Sequence, residues 1–152
     1  MNEAFERLRN NLRHNHMFDG YITYIAKLEY GLEKGWHYHV IFFFDGHKVN
    51  ADITRSQQIG EYWVNIITYG KGVYRSANME HLEYKCYAAG TIHYWDTDKI
   101  IALKEKVAKY LAKQDTEILN GHWKDAMGRN IRCFRTGQYT PKTNNIGRPR
   151  FY

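Results

Sequence analysis

Two strand-like segments joined by a short loop constrain the fold more than any other part of the chain. Residues 19–31 (DGYITYIAKLEYG) and 36–44 (WHYHVIFFF) are rich in β-branched and aromatic residues, which favour strands. Between them lies the stretch GLEKG, residues 31–35, with glycine at both ends. A loop of this length joins antiparallel neighbours. The sequence therefore predicts a β-hairpin that turns at residues 31–35.

The position of the loop also predicts which residues of the hairpin lie opposite each other. Folding about its centre places Glu29 opposite His37 and Lys27 opposite His39. Because side chains alternate across a strand and opposed residues share a face, one face presents Glu29, His37 and His39 together. The other face carries large, mostly apolar side chains that helices can cover, namely Leu28, Trp36, Tyr38, Val40, Phe42 and Phe44. A slip of one residue would move Glu29 to the apolar face.

Two imidazoles and one carboxylate on a common face suit a divalent cation that keeps positions open for a substrate. Imidazole accepts Mn²⁺ and Zn²⁺, and Mg²⁺ can be held when phosphate and water complete its shell. The alternative is that both histidines are satisfied by neighbours on a polar face. A second pair, His14 and His16, falls at the end of a predicted helix, where residues i and i+2 diverge. The sequence therefore favours a metal site at His37 and His39 and a solvated helix end at the second pair.

The remaining chain mixes helical and strand-like segments and contains no linker that would divide domains. Helices are predicted over residues 3–13, 55–69 and 98–115, with a C-cap at Gly70 and an N-cap at Asp96 or Thr97. Short strands are predicted over residues 72–79, 91–95 and 130–134. We therefore expect one α+β domain over residues 1–152, with a central antiparallel sheet, flanking helices, an N-terminal helical part (1–19) and a basic C-terminal tail (136–152).

Composition indicates a nucleic-acid partner and gives no sign of a membrane. The net charge is +6 and aromatic residues make up 16% of the chain, so phosphate backbones are attracted and unpaired bases can stack. The longest apolar run, Val40 to Phe44, is too short to cross a bilayer, and the first residues lack the apolar region of a secretory signal. Two cysteines without metal-ligand spacing suggest free thiols. These features lead us to expect a cytoplasmic protein.

A candidate nucleophile lies on the long predicted helix, in the stretch KYLAKQD. Lys113 follows Tyr110 by three residues and Lys106 precedes it by four, so an α-helix would place all three on one side. Nearby ammonium groups favour the phenolate, which attacks phosphorus, and a lysine can neutralise phosphate charge or protonate a leaving group. Taken from the helix alone, Tyr110 is more simply one surface tyrosine among 13.

These motifs together resemble the HUH endonuclease superfamily, whose signature is His–hydrophobic–His plus a catalytic tyrosine. The strand with HYHV, an acidic residue on the preceding strand and the downstream YLAK occur in the order of that family's rolling-circle initiators. The stretches LEYGLEKGWHYHVIFFFDG, VAKYLAKQD and GRPR are similar to the replication-initiator-like proteins of filamentous phages (inoviruses) and related prophage elements. The resemblance covers roughly residues 20–150.

The resemblance implies an endonuclease that nicks and rejoins single-stranded DNA and initiates rolling-circle replication of a phage or mobile element. Its cofactor would be Mn²⁺ or Mg²⁺ at His37, His39 and a third ligand, and Tyr110 would become linked to the 5′ phosphate. The fold would have an RRM-like palm, with both histidines on a central strand and the tyrosine helix alongside. The implied partner is single-stranded DNA at an origin or hairpin in a bacterial host cell, with a host helicase as a further candidate.

Several points stay open at this stage. Glu29 is the preferred third ligand, with Gln114 and Glu33 as alternatives. Tyr38, between the histidines, is expected to be a packing residue, which leaves Tyr110 as a single catalytic tyrosine. Alternative functions are a transposase-like strand transferase, a nuclease that uses water, and a non-catalytic single-stranded nucleic-acid-binding module. The basic residues expected to contact phosphates are Lys106, Arg129, Arg132, Arg135, Arg148 and Arg150.

Overall fold

An antiparallel sheet with flanking helices organises the part of the chain that the computed structural model describes, residues 2–79, 88–113, 124 and 127–139. The helices and strands are α1 (Asn2–Asn11), β1 (Tyr21–Gly31), β2 (Gly35–Phe44), α2 (Asp52–Tyr62), α3 (Thr97–Ile101), α4 (Lys109–Ala112) and β3 (Phe134–Thr136). A π-helical turn, Trp63–Ile67, extends α2, and a π-helical segment, Ala102–Ala108, joins α3 to α4. The predicted α+β class with an antiparallel sheet is confirmed.

The hairpin has the predicted register. β1 and β2 pair antiparallel, with Glu29 opposite His37 and Lys27 opposite His39. Gly31 pairs with Gly35, so the turn itself comprises the residues between them. Gly35 has a φ of +63°, a left-handed conformation that glycine adopts without a steric cost. The glycine at the end of the loop is therefore part of what fixes the register.

The third strand lies on the other side of β1. β3 pairs antiparallel with β1, Phe134 opposite Lys27 and Arg135 opposite Ala26, and gives the order β2-β1-β3. Within the described residues, β1 is thus the middle strand and β2 an outer one, whereas the resemblance implied a central strand for the histidines. The strand predicted over residues 130–134 begins later, at Phe134, although the Cys133 carbonyl oxygen already accepts a bond from the Leu28 amide (2.7 Å).

The apolar face of the hairpin forms the core with α1 and α2. Phe5 of α1 stacks on Tyr38 with ring centroids 4.3 Å apart, and the Tyr38 hydroxyl donates to Oδ1 of Asn2 (2.7 Å). Phe5 and Leu8 are buried, and each such side chain contributes about 1.5–3 kcal/mol relative to exposure. Tyr38 is therefore a packing residue, as predicted. The residues grouped around it are Ala4, Leu12, Phe18, Tyr24, Ala26, Val40, Phe42 and Ile67.

The strands predicted over residues 72–79 and 91–95 are wrong. Residues 72–79 attach to α2 through side chains instead of a hydrogen-bonded ladder. The Tyr74 ring packs so closely on Gly60 that a Cβ there would lie 2.1 Å from it, and Asn78 donates to the Asp52 carboxylate (2.8 Å). Aromatic and β-branched content indicated strands, but those side chains find helix partners.

The predicted helix boundaries also shift. α2 begins at Asp52, three residues before the predicted start at residue 55, and its π-helical extension ends before two left-handed residues, Tyr69 (φ +54°) and Gly70 (φ +78°). Asp96 precedes α3, but its carboxylate accepts a bond from the His93 amide (2.9 Å) and caps no amide of the helix. None of the described helices is long and apolar enough to span a membrane.

Candidate active site

One carboxylate and two imidazoles meet on the polar face of the hairpin. Glu29 Oε2 lies 3.0 Å from His39 Nε2 and 3.6 Å from His37 Nε2. One ligand atom from each of the three residues lies within 4.8 Å of the others. The cluster follows directly from the register, since Glu29 is paired with His37 and lies diagonally from His39.

His37 is held in the tautomer that metal binding requires. Its Nδ1 lies 3.0 Å from the carbonyl oxygen of Gly35. A carbonyl oxygen only accepts, so Nδ1 carries the proton and Nε2 keeps its lone pair. Protein ligands of metals are oriented by this kind of outer hydrogen bond. The backbone of the hairpin turn therefore prepares His37 Nε2 as a ligand atom.

The donor set fits a divalent cation. Ligand atoms about 2.1 Å from one ion are about 3.0 Å apart at right angles and about 3.4 Å apart in a tetrahedron. The separations of Glu29 Oε2 from the two Nε2 atoms, 3.0 and 3.6 Å, match neighbouring ligands of one ion. Three protein ligands leave positions for substrate oxygen and water.

A buried lysine balances the carboxylate. Lys27 is only 6% exposed, and its Nζ lies 2.7 Å from Glu29 Oε1, the oxygen that does not contact the histidines. Burial opposes ionisation of Glu29, but the hydrogen bond from Lys27, the neighbouring His39 and the hydrogen bond from Tyr110 outweigh it and hold the pKa of Glu29 below its usual range. Glu29 is therefore a carboxylate at neutral pH.

His39 has the opposite balance. Its partial burial lowers its pKa more than the attraction of Glu29 raises it, and His37 and Lys27 lower it further. The neutral imidazole is thus favoured near pH 7. This is the protonation state in which imidazole binds metals, so no charge has to be removed before a cation is held.

Tyr110 reaches the same cluster from the helical side. Its hydroxyl donates to Glu29 Oε2 (3.2 Å), its ring meets the His39 ring edge-on with centroids 5.6 Å apart, and Lys27 Nζ lies 5.4 Å from the centre of its ring. The side chain is 50% exposed and remains accessible to a substrate. A single carboxylate oxygen therefore contacts both histidines and the tyrosine.

The placement of Tyr110 depends on the packing of its helix. Leu111, the next residue, is buried, and α4 packs against β1. Burying Leu111 turns the preceding side chain towards the edge of the polar face. The helix ends at Ala112, and the Lys113 backbone is extended.

The other sequence-predicted site residues divide into three groups. Lys106, Lys113, Arg129 and Arg132 are exposed, and the ammonium above the Tyr110 ring comes from Lys27 instead. Glu33 is exposed in the hairpin turn and does not join the cluster, whereas Gln114, Arg148 and Arg150 lie outside the described residues.

Arg135 is placed differently from an exposed phosphate contact. Its guanidinium pairs with the Glu6 carboxylate of α1 and lies 6.0 Å from the centre of the Phe5 ring. The side chain is only 18% exposed. Its position opposite Ala26 puts it on the apolar face of the sheet, where α1 covers it, so its observed role is to hold α1 on the sheet.

Lys27 is the site residue that sequence reasoning did not single out. The signal was present, because the register that sets Glu29 opposite His37 also sets Lys27 opposite His39 on the same face. Its burial could not be foreseen, since it depends on Tyr110, whose helix lies far along the chain.

The fold and cluster define an α+β protein with a candidate metal site beside a tyrosine. The chain belongs to a family of replication proteins of the filamentous-phage type: the family of replication-associated proteins of the ORF2 type matches residues 1–115, a span that includes every member of the cluster and Tyr110. Membership supports a role in initiating phage DNA replication. Neither the curated proteins nor the solved structures yielded a significant match.

Proposed function

We propose that this protein is an HUH-type endonuclease that nicks and rejoins single-stranded DNA to initiate rolling-circle replication. The observation that carries the proposal is the convergence of His37, His39 and Tyr110 on one oxygen of Glu29. A tyrosine this close to a metal-ligand set is suited to attack on a bound phosphate. We further propose that residues 1–152 form a single nuclease domain.

Glu29, His37 and His39 are the proposed ligands of the divalent cation, Mn²⁺ or Mg²⁺. Bound there, the cation would act as a Lewis acid towards an oxygen of the scissile phosphate. The turn carbonyl of Gly35 orients the His37 ring, and Lys27 orients Glu29 through the oxygen that the histidines leave free. These contacts hold the ligand set before substrate arrives.

In the proposed reaction, the Tyr110 oxygen forms a bond to phosphorus and loses its proton, for which Glu29 Oε2 is the acceptor in contact. The bond from phosphorus to the 3′ oxygen breaks. That oxygen takes up a proton, with Lys113 as the proposed donor, and leaves as a 3′-OH. The 5′ phosphate stays on Tyr110 until another 3′-OH attacks and reverses the step. The positive charge of Lys27 beside the ring stabilises negative charge that develops on the phenol oxygen.

The exposed basic residues Lys106, Arg129 and Arg132 are the proposed phosphate contacts within the described part of the chain. Arg148 and Arg150 remain proposed contacts of the basic tail. The proposed partner is a single strand at an origin or hairpin, with a host helicase as a further proposed partner.

The test is covalent adduct formation. Labelled single-stranded oligonucleotides from the origin of the protein's own element are incubated with Mn²⁺, Mg²⁺ or EDTA and resolved on a denaturing gel. We expect a metal-dependent protein–DNA adduct that Tyr110→Phe and the His37→Ala, His39→Ala double variant abolish. The matched control is His14→Ala, His16→Ala, because that pair has the same spacing and His16 is an exposed partner of Asp19.

Each other outcome identifies an alternative. Cleavage that survives in Tyr110→Phe would replace the covalent mechanism by attack of water. Binding without cleavage of any origin strand would leave a nucleic-acid-binding module. Loss of the adduct in the His14→Ala, His16→Ala control would refute the assignment of the metal to the hairpin.

A further inference from the structure

The strand β3 exposes an aromatic residue on the same sheet face as the candidate active site. Along residues 131–136, exposed positions 132, 134 and 136 alternate with partly buried positions 131, 133 and 135. This period of two separates an outward face from a face that packs under α1. Phe134 and Arg132 belong to the outward set, whereas Arg135 belongs to the inward set and pairs with Glu6.

The register places Phe134 in line with the metal ligands. Phe134 is opposite Lys27, and Lys27 is opposite His39, so the three residues form one row across β3, β1 and β2. Directly paired residues share a face, so Phe134 opens to the same side as His39. Neighbouring strands are about 4.8 Å apart, which puts the Phe134 backbone roughly 10 Å from that of His39. A DNA strand covers this distance in about three stacked nucleotides, or fewer when extended.

The chemistry of the two outward residues matches one nucleotide. Phe134 is 42% exposed, so an apolar ring faces solvent beside a polar cluster. A flat aromatic ring on an open sheet is a stacking surface for an unpaired base. Arg132, two residues earlier, donates from Nε to the Phe134 carbonyl oxygen (3.3 Å), which ties its guanidinium to the strand. Guanidinium groups bind phosphate oxygens in a fork geometry.

We propose that Phe134 and Arg132 form a nucleotide subsite, in which an unpaired base within about three nucleotides of the scissile phosphate stacks on Phe134 and an adjoining phosphate binds Arg132. The subsite deepens the proposed function, because it takes the single-stranded DNA substrate of that reaction. The net charge of +6 favours such a strand over an acidic protein surface as a general partner of phosphate-rich ligands.

The experiment is a binding cycle in EDTA, so that no cleavage intervenes. Fluorescence anisotropy measures the affinity of wild type and Phe134→Ala for an origin strand and for copies that carry one abasic site at successive positions. Removing a stacking partner weakens binding about 5- to 100-fold. We expect wild type to lose this factor at one abasic position, and Phe134→Ala to lose it on the intact strand with no further loss at that position.

Second variants separate stacking from a structural effect. Phe134→Leu preserves an apolar side chain without a π face and should bind like Phe134→Ala, whereas Phe134→Trp should retain affinity. Arg132→Gln should reduce the slope of log affinity against log salt by about 0.7, the value for one phosphate of a single strand. Trp95→Ala is the matched control, since Trp95 is 61% exposed and its ring contacts are with its neighbours His93 and Tyr94.

The subsite is refuted if Phe134→Ala binds the intact strand as wild type does, if its loss adds to that of every abasic position, or if Trp95→Ala weakens binding equally. Failure of the proposed function is a different result, since it appears as absence of the covalent adduct in the metal-containing assay while binding in EDTA persists.

Discussion

Replacing Lys27 by methionine removes the buried positive charge while keeping the length of the side chain. The Lys27 ammonium and Glu29 Oε1 are 2.7 Å apart, with side chains 7% and 14% exposed. At an effective dielectric constant of 20 their gross attraction is about 6 kcal/mol, and most of it is offset by the cost of removing both charges from water. Breaking such a pair costs about 3–5 kcal/mol. Since Glu29 keeps its contacts with His39 and Tyr110, we expect about 3 kcal/mol, the lower end.

Urea unfolding followed by circular dichroism measures this loss in the presence of EDTA. The matched control is Lys34→Met, on the exposed turn of the same hairpin, which should change the free energy of unfolding by less than about 0.5 kcal/mol. In saturating Mn²⁺ the deficit of Lys27→Met should shrink, because a cation at Glu29 supplies the missing positive charge. The variant should therefore gain more stability from Mn²⁺ than the wild type does.

Two results would refute the reasoning. If Lys27→Met and Lys34→Met cost the same in EDTA, the Lys27 ammonium is not the counter-charge of Glu29. If Mn²⁺ leaves the deficit of Lys27→Met unchanged, the cation does not bind at Glu29, and the proposed ligand set is wrong.

Three further predictions test other contacts. His37→Ala should abolish the Mn²⁺-induced increase in melting temperature, whereas His14→Ala should leave it intact, as measured by differential scanning fluorimetry. Arg135→Met should lower the free energy of unfolding by about 1–3 kcal/mol, because it leaves Glu6 without this partner, and should change DNA affinity less than Arg132→Gln does; a larger loss of affinity than of stability would contradict its place under α1. Burial raises the pKa of Tyr38 to about 12 from 10. The folded state therefore holds this proton more tightly, and the stability that it confers is complete below pH 10 and lost as pH rises towards 12. Tyr38→Phe should flatten that decline in urea titrations at successive pH values, and an unchanged slope would refute it.

The hairpin was predictable because every constraint on it is local. Alternation of side chains and the loop between Gly31 and Gly35 suffice to set Glu29 opposite His37. The two faces follow from that one register. A candidate metal cluster could therefore be placed from a stretch of fewer residues than a typical domain, without knowledge of the remaining fold.

What could not be predicted depends on contacts between distant segments. Lys27 becomes buried only when α4 places Tyr110 over it, and Arg135 becomes structural only because β3 turns it towards Glu6. The basic character of Arg135 indicated a phosphate contact, but its strand position decided which face it occupies. Residues 72–79 had the composition of a strand and found a helix as partner instead, because Tyr74 fits against Gly60.

The π-helical segment Ala102–Ala108 makes the distance along the chain between the hairpin and Tyr110 matter to a single residue. A π-helical turn holds more residues than an α-helical one, and π segments commonly arise from inserted residues. Deleting one residue there would favour an ordinary α-helix and rotate Tyr110 by about 100° relative to α3. Such a deletion would leave both histidines, the glutamate and the tyrosine in the sequence, yet separate them in space. A search for relatives that counts motifs without counting the residues of this helix would therefore accept chains that cannot assemble the site.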